Sequence, residues 1–548
     1  MTKSIFVLLG LLFVYRPWAG AAEPVEIRVD LDKRMGPIKP IWSYFGYDEP
    51  NYTYMPNGAK LVGELAVLHQ PVYIRTHSLL STGDGTPALK WGSTNAYTED
   101  ANGQAVYDWT IVDRIFDTYA KAHVKPFVEI GFMPKALSTN PDPYQHDWPK
   151  TKISAGWAYP PKDYAKWGEL VYQWVRHSAA RYGEAEVKSW YWEVWNEPDI
   201  EYWRGTAEEY DKLYETAARA VKRALPGARV GGPATTSPSG QKAGAYLRQF
   251  LEYCDKSSVP LDFVTYHAKG RPANVDGHVQ MGLGKNLADV SEGMKILVSF
   301  PKFAKLPIIL SEADPEGCAA CSVSMGYKQN GYRNGTLYPT YTATLLNSIL
   351  NLADERNANI EGMLTWAFEF EGQPWFDGFR TLATNGVDKP VLNVFRMTRE
   401  LSGDRVSAKS TGAIDTDKII AEGVRGAPDV NALATRDGRS AAVMVWNYHD
   451  DDLAGPDAPV HITIEHLPAA AKNARLDHYR IDQTHSNAYT AWQEMGKPQQ
   501  PTEDQMKKLE AAGQLERVTP VPHGQSNGTV TLDFSLPRQA VSLVKIRW

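Results

Sequence analysis

Two glutamates stand where apolar, strand-like runs break off. The first run, Ser189–Glu197, is aromatic and β-branched and stops at Asn196-Glu197-Pro198, where Pro198 cannot continue a ladder. The second, Pro307–Ala313, carries Glu312 at its end. A carboxyl in that position has a rigid backbone behind it and a cleft in front. One such residue means little, because strands commonly end in a solvated polar group. Two of them facing one cleft meet the needs of acetal cleavage: a proton for the departing oxygen and an electron-rich partner for the anomeric carbon. Carboxyls about 5–5.5 Å apart let the second attack directly, with retention of configuration. Glu197 is read as the acid and then the base, and Glu312 as the nucleophile. Like-charge repulsion between them is expected to hold the acid's proton near neutral pH. Asn196 is placed to bond the sugar 2-hydroxyl.

The elements that must position this pair are legible as an alternation. Eight short apolar strands are expected at Ile41–Tyr47, Pro71–His77, Lys125–Phe132, Ser189–Glu197, Arg229–Thr235, Asp262–His267, Pro307–Ala313 and Gly362–Phe370. Helical patterns such as Thr110–His123, Asp163–Tyr182, Ala207–Leu225 and Thr340–Ala353 separate them, and Pro390–Leu401 follows the last. Eight strand–helix units with right-handed crossovers close a (β/α)8 TIM barrel of the α/β class. An open doubly wound sheet is the runner-up, but it wants a Gly-rich phosphate loop after the first strand. Tyr44-Phe45-Gly46-Tyr47-Asp48-Glu49-Pro50 is not one. In a barrel the fourth and seventh strands face each other across the mouth. Other polar strand ends then share that mouth: Arg75-Thr76-His77, Tyr266-His267-Ala268-Lys269-Gly270, and Trp366 with Phe368 and Glu369.

After Ser407 the pattern changes to alternating strands, among them Val460–Ile464 and Val530–Leu536, with an Asp437-Gly438 hairpin turn. This reads as a smaller antiparallel β-sandwich, joined by the lone alternating strand Val25–Leu31. The expected division is a signal peptide over 1–22, the N-terminal strand over 23–35, the barrel over 36–404 and the sandwich over 405–548. The leader has Lys3, an apolar core from Ile5 to Val14 too short to span a bilayer, and small residues at Ala19–Ala22. Cleavage near Ala21 or Ala22 gives an exported protein, periplasmic or secreted, with no membrane contact once processed. A net charge of −6 with mixed signs offers no basic stripe for nucleic acid. Aromatics cluster at strand ends, which favours sugar stacking. Three cysteines exclude a disulfide framework; Cys318 and Cys321 are able to close a small local bridge, and a structural role leads over a redox or zinc one.

Trp-Asn-Glu-Pro on the fourth strand with Ser-Glu-Ala-Asp-Pro on the seventh resembles glycoside hydrolase family 39, a retaining barrel family of β-xylosidases and α-L-iduronidases. The resemblance extends to Arg75-Thr76-His77, Gly231-Gly232-Pro233, His267-Ala268-Lys269-Gly270 and Lys389-Pro390-Val391-Leu392. It implies the same roles for Glu197 and Glu312, implies His77, His267, Lys269 and Asp377 as sugar contacts, and implies the small sandwich fed by both chain ends.

Competing readings are weighed residue by residue. Glu193, four residues before Glu197, reads as a deeper ion-pair partner, while Glu369 is given a subsite role narrowly over a solvated one. Trp366 is assigned to the sugar site. Asp199, Asp314 and Glu316 read as loop charges or salt-bridge partners. His449 beside Asp450–Asp452 invites a metal reading, but acids in a hairpin loop are usually solvated. Asn51, Asn334 and Asn527 head sequons. The expected activity is a β-D-xylosidase working from the non-reducing end of xylo-oligosaccharides, needing no metal or cofactor. An iduronidase-like or arabinosidase exo-enzyme comes second, and a non-catalytic carbohydrate-binding protein is the reading from another class. Oligomeric state is left open.

Overall fold

The computed structural model describes residues 23–548 apart from 149–150, 367 and 520–522, so the leader read at 1–22 lies outside the described residues. The first strand, β1 (Val25–Pro37), belongs to the second domain. Eight parallel strands then close a barrel: β2 (Tyr44–Tyr47), β3 (Tyr73–Thr76), β4 (Lys125–Ile130), β5 (Tyr191–Val194), β6 (Arg229–Thr235), β7 (Phe263–Lys269), β8 (Ile308–Asp314) and β9 (Ile360–Trp366). Each lies within a few residues of its expected position. Between and after them run α1 (Pro56–Ala66), α2 (Thr110–Ala122), α3 (Tyr164–Tyr182), α4 (Ala207–Ala224), α5 (Gln241–Lys256), α6 (Leu283–Val298), α7 (Leu337–Arg356) and α8 (Pro390–Thr398).

Local chemistry sets these helices in place. Thr206 opens α4 with a capping box: its hydroxyl accepts from Glu209 N at 3.2 Å, and Glu209 Oε2 accepts from Thr206 N at 2.7 Å. Asp163 caps α3 by accepting from the amides of Ala165 and Lys166. Inside the barrel, Tyr44, Tyr73, Phe127, Tyr191, Phe263, Ile309 and Leu364 fill the lower layer, one from each of seven strands. The eighth, β6, contributes Gly231, where a Cβ would collide with Phe263. This apolar floor forces the polar strand residues upward, toward the C-terminal mouth.

The second domain holds β10 (Asp404–Ser410), β11 (Asp429–Arg436), β12 (Ser440–Tyr448), β13 (Ala458–Glu465), β14 (Arg475–Ile481), β15 (Glu516–Val518), β16 (His523–Ser526), β17 (Thr529–Leu536) and β18 (Ala540–Arg547). They form one ten-stranded sheet in the order β15-β14-β18-β12-β11-β10-β1-β13-β17-β16. The sheet is antiparallel as expected except at one pair, β1 with β13. β1 runs antiparallel to β10, with Ile27 opposite Ser410, but parallel to β13, with Val25 opposite Val460. No hairpin joins β1 to either neighbour, so no tight turn dictates its direction. Ile27, Val29 and Leu31 bury into the sandwich core with Val443, Ile462 and Val544. The opposite face of β12, through Met444 and Trp446, packs into the core of the barrel. The two domains therefore share a strand that is buried on both sides.

An inserted pair of helices was not anticipated. Between β14 and β15 the chain inserts α9 (Ala488–Glu494) and α10 (Glu503–Gly513), whose Ala488, Trp492 and Leu509 pack on Trp375, Phe376 and Val387. Cys318 and Cys321 are disulfide-bonded, and Cys254 is free and buried. Of the three sequon asparagines, Asn51 and Asn334 are buried, donating to Ser93 O and Phe376 O, and Asn527 is exposed in a turn. The His449 loop is only partly solvated: Asp452 is exposed as expected, but Asp450 is buried and accepts from the Tyr448 hydroxyl at 2.7 Å and Val424 N at 2.9 Å. Among the described residues no helix is long and apolar enough to cross a membrane.

Candidate active site

β5 ends at Val194, sooner than its apolar run suggests, because Trp195 (φ 75°) and Glu197 (φ 46°) turn into the left-handed region. Such residues cost about 1–3 kcal/mol each and persist only where surroundings hold them. Here Trp195 Nε1 donates to Tyr202 O at 2.9 Å, and Glu197 N donates to Ala234 O at 2.9 Å. The turn, not strand parity, aims the Glu197 side chain. It places Glu197 Oε1 2.8 Å from His267 Nδ1 on β7.

Glu312 comes from within β8, and both of its oxygens are engaged. Lys269 Nζ donates to Oε2 at 2.7 Å, while Arg75 Nη1 and His77 Nε2 each lie 3.3 Å from Oε1. A carboxylate oxygen of Glu197, one of Glu312 and a nitrogen of His267 all lie within 4.8 Å of one another. Burial alone would raise the Glu312 carboxyl, but the charges of His267, Lys269 and His77 outweigh it and hold the group well below the usual range. His77 shows the reverse balance. Burial disfavours its charge, yet Glu129, Asp48 and Glu312 lift it to about 9.

Around the pair, Arg75 is the hub. Fully buried on β3, it donates from Nε to Glu193 Oε2 at 2.5 Å and from Nη2 to Asn196 Oδ1 at 3.0 Å, and Nη2 also lies 3.3 Å from Glu129 Oε2. Asn196 thus has its oxygen occupied and its amide N–H groups left as donors. Trp366 lies beside this hub, its ring 4.4 Å from His77 and 5.3 Å from the Arg75 guanidinium. Gly46 makes that possible, since a Cβ there would meet the indole at 2.5 Å. Above them, His77 Nδ1 lies 2.9 Å from Asp48 Oδ1, and Asp48 is paired with Lys90.

Glu197, Asn196, His77, His267, Lys269, Glu312 and Trp366 are therefore brought together. Two expected contacts are not. Glu369 is buried away from the pair and accepts from Gly386 N, because the chain leaves the barrel after Trp366. Asp377 is turned to the disulfide loop, accepting from Ser324 N at 3.0 Å and from the Ser324 hydroxyl. Sequence alone assigns no site role to Arg75, Glu129, Asp48 or Lys90. A lone carboxylate inside the apolar run Lys125–Phe132 was the available signal for Glu129.

A parallel barrel that carries two carboxyls this close at the ends of its fourth and seventh strands is the framework of a glycoside hydrolase. More narrowly, the chain belongs to glycosyl hydrolases family 39, whose sequence profile matches residues 25–531. It is 28% identical to a β-xylosidase of Geobacillus stearothermophilus over 493 residues, 86% of each chain. Over 571 residues it is 22% identical to the α-L-iduronidase of Mus musculus, covering 97% of this chain and 82% of that one. Its fold matches the GH39 enzyme from Xanthomonas axonopodis pv. citri with a TM-score of 0.73 at 24% identity, covering 97% of this chain and 99% of that one.

Proposed function

We propose that this protein is a retaining exo-glycosidase that releases β-D-xylose from the non-reducing end of xylo-oligosaccharides. The observation that carries the mechanism is the approach of the two carboxyls, oxygen to oxygen within 4.8 Å. An approach that close supports double displacement, in which the second carboxyl attacks the sugar directly. Glu312, kept ionised by its cationic neighbours, attacks the anomeric carbon; Glu197 protonates the departing oxygen and then draws a proton from the incoming water. The Asn196 amide N–H groups are the donors for the 2-hydroxyl, and the Trp366 face forms part of the subsite wall.

The choice of a neutral sugar rests on charge. Lys269 is held between Glu312 and Asp314, Arg380 lies against Asp314 and Glu316, and Lys90 is paired with Asp48. Each of these cations already has a carboxylate partner, so a uronic acid would have to displace one. The greater identity to the β-xylosidase than to the iduronidase agrees. Export, with removal of residues 1–22, is part of the proposal, since polymeric xylan lies outside the cell.

The test is a panel of aryl β-xyloside, α-arabinoside, β-galactoside and α-iduronide, with NMR of the first-formed anomer. Xyloside turnover with a β-configured first product is expected. An α first product would sink the mechanism, and preference for the iduronide would sink the substrate.

A further inference from the structure

The loop that follows β8, the strand of the nucleophile, is closed on itself by the Cys318–Cys321 disulfide into the short ring Cys318-Ala319-Ala320-Cys321. Three carbonyls of that ring converge on one buried side chain. Arg333 donates to Cys318 O at 2.7 Å, and to Ala319 O and Cys321 O at 3.2 Å each. The same guanidinium donates to Gly378 O at 2.8 Å, which ties the ring to the loop after β9. The Ala319 carbonyl has a second donor, Arg380 N, at 2.9 Å.

Arg380 is the link to the sugar site. Its Nε donates to Trp366 O at 2.9 Å, its Nη1 donates to the Glu316 backbone and carboxylate, and its Nη2 lies 3.5 Å from Asp314 Oδ2. Asp314 Oδ1 in turn accepts from Trp366 N at 2.8 Å. β9 ends at Trp366, and there the backbone is gripped by two side chains, the N–H by Asp314 and the carbonyl by Arg380. Ala319 is buried in the same apolar cluster as the Trp366 indole.

We propose that the Cys318–Cys321 disulfide is a positioning bond for the sugar site: it fixes Ala319 O against Arg380 N, and through Arg380 it sets where Trp366 stands. The proposal rests on the reading of Trp366 as a subsite wall. An open chain places three carbonyls on one guanidinium only by ordering the backbone of every residue involved. The covalent bridge does that ordering in advance. With the bridge cut, Arg333 still has acceptors and the fold persists, but the Ala319 carbonyl loses its fixed place and Arg380 shifts with it. The carboxyl pair is held by other means. Glu197 is aimed by its own turn, and Glu312, inside β8, keeps Lys269, Arg75 and His77 around it. The bridge therefore governs how tightly a sugar is bound rather than how fast a bound sugar reacts.

The experiment compares the wild type with Cys318→Ser/Cys321→Ser on the aryl β-xyloside. KM should rise about five- to tenfold, with kcat within about twofold and the pH profile unmoved. A dinitrophenyl xyloside fluorinated at its second carbon separates the steps: its half-saturating concentration should rise with KM while its limiting rate of inactivation holds. Trp366→Ala should raise KM by itself, and adding the two serines to it should raise KM no further, because the bridge acts through that ring. Cys318→Ala/Cys321→Ala should behave as the serine pair does. Failure of both pairs to fold would make the bridge a staple of the fold and overturn the proposal. So would equal falls in kcat and kcat/KM, or a KM loss that adds to that of Trp366→Ala. A wild type that turns over another glycoside of the panel and not the xyloside would overturn the substrate reading alone, and the same comparison on that glycoside then decides the role of the bridge.

Discussion

Lys269 sits 2.7 Å from Glu312 and 2.9 Å from Asp314, and its ammonium is the shortest charged contact the nucleophile has. Lys269→Met should move the acid limb of kcat/KM upward by about one pKa unit, since one of the cations holding Glu312 ionised is gone. Glu312→Gly should lower kcat at least about 10⁴-fold. Glu197→Ala should spare the first step on activated aryl glycosides and slow the second, with azide restoring turnover in a stopped assay. Stability carries its own pH signature. Glu129 keeps its proton up to about 7 in the fold but only to its ordinary 4.5 when unfolded, so its ionisation erodes stability as pH rises between those values. His77, raised to about 9 from 6.5, contributes fully below 6.5 and loses that contribution as pH rises through 9. Thermal melts of Glu129→Gln should therefore gain on the wild type by a few degrees at pH 8 and not at pH 4. At this scale the sequence was informative where a residue type met a strand end, as at Glu197 and Glu312. It was silent on Glu129 and Arg75, whose meaning lies in partners on three different strands.

At the scale of elements, the eight strands were legible because buried parallel strands need continuous apolar runs, and most helices because they keep one apolar stripe, α7 excepted, which is buried at every position from Leu337 to Leu350. The end of β5 was not: a run as apolar as Trp190–Trp195 gives no warning that Trp195 leaves the extended region. Asp377 and Glu369 were misplaced for a related reason, since the chain beyond Trp366 follows loop contacts rather than a period. The insertion of α9 and α10 was also hidden, although Thr502 and Gln505 form a capping box that marks the start of α10. Its Trp492 packs against Phe376, 5.2 Å between ring centres, in the loop that follows β9. Trp492→Ala should cost about 3–5 kcal/mol in chemical denaturation, with little change in the pH profile of any residual activity.

The whole molecule is closed by β1. This strand is covered on one side by β10 and on the other by β13, so residues 23–37 lie in the middle of a sheet made otherwise from the far end of the chain. Cutting them away would bare the edges of both neighbours, and such a truncation should aggregate on expression while leaving no sequence of the barrel altered. A ribosome working at 5–20 residues per second needs roughly 20–90 s to travel the about 430 residues from Pro37 to Glu465. Throughout that interval the barrel is free to assemble, while the opening segment waits for both of its berths to be synthesised. The seam between β1 and β13 is thus sewn only after every strand of the barrel has been made.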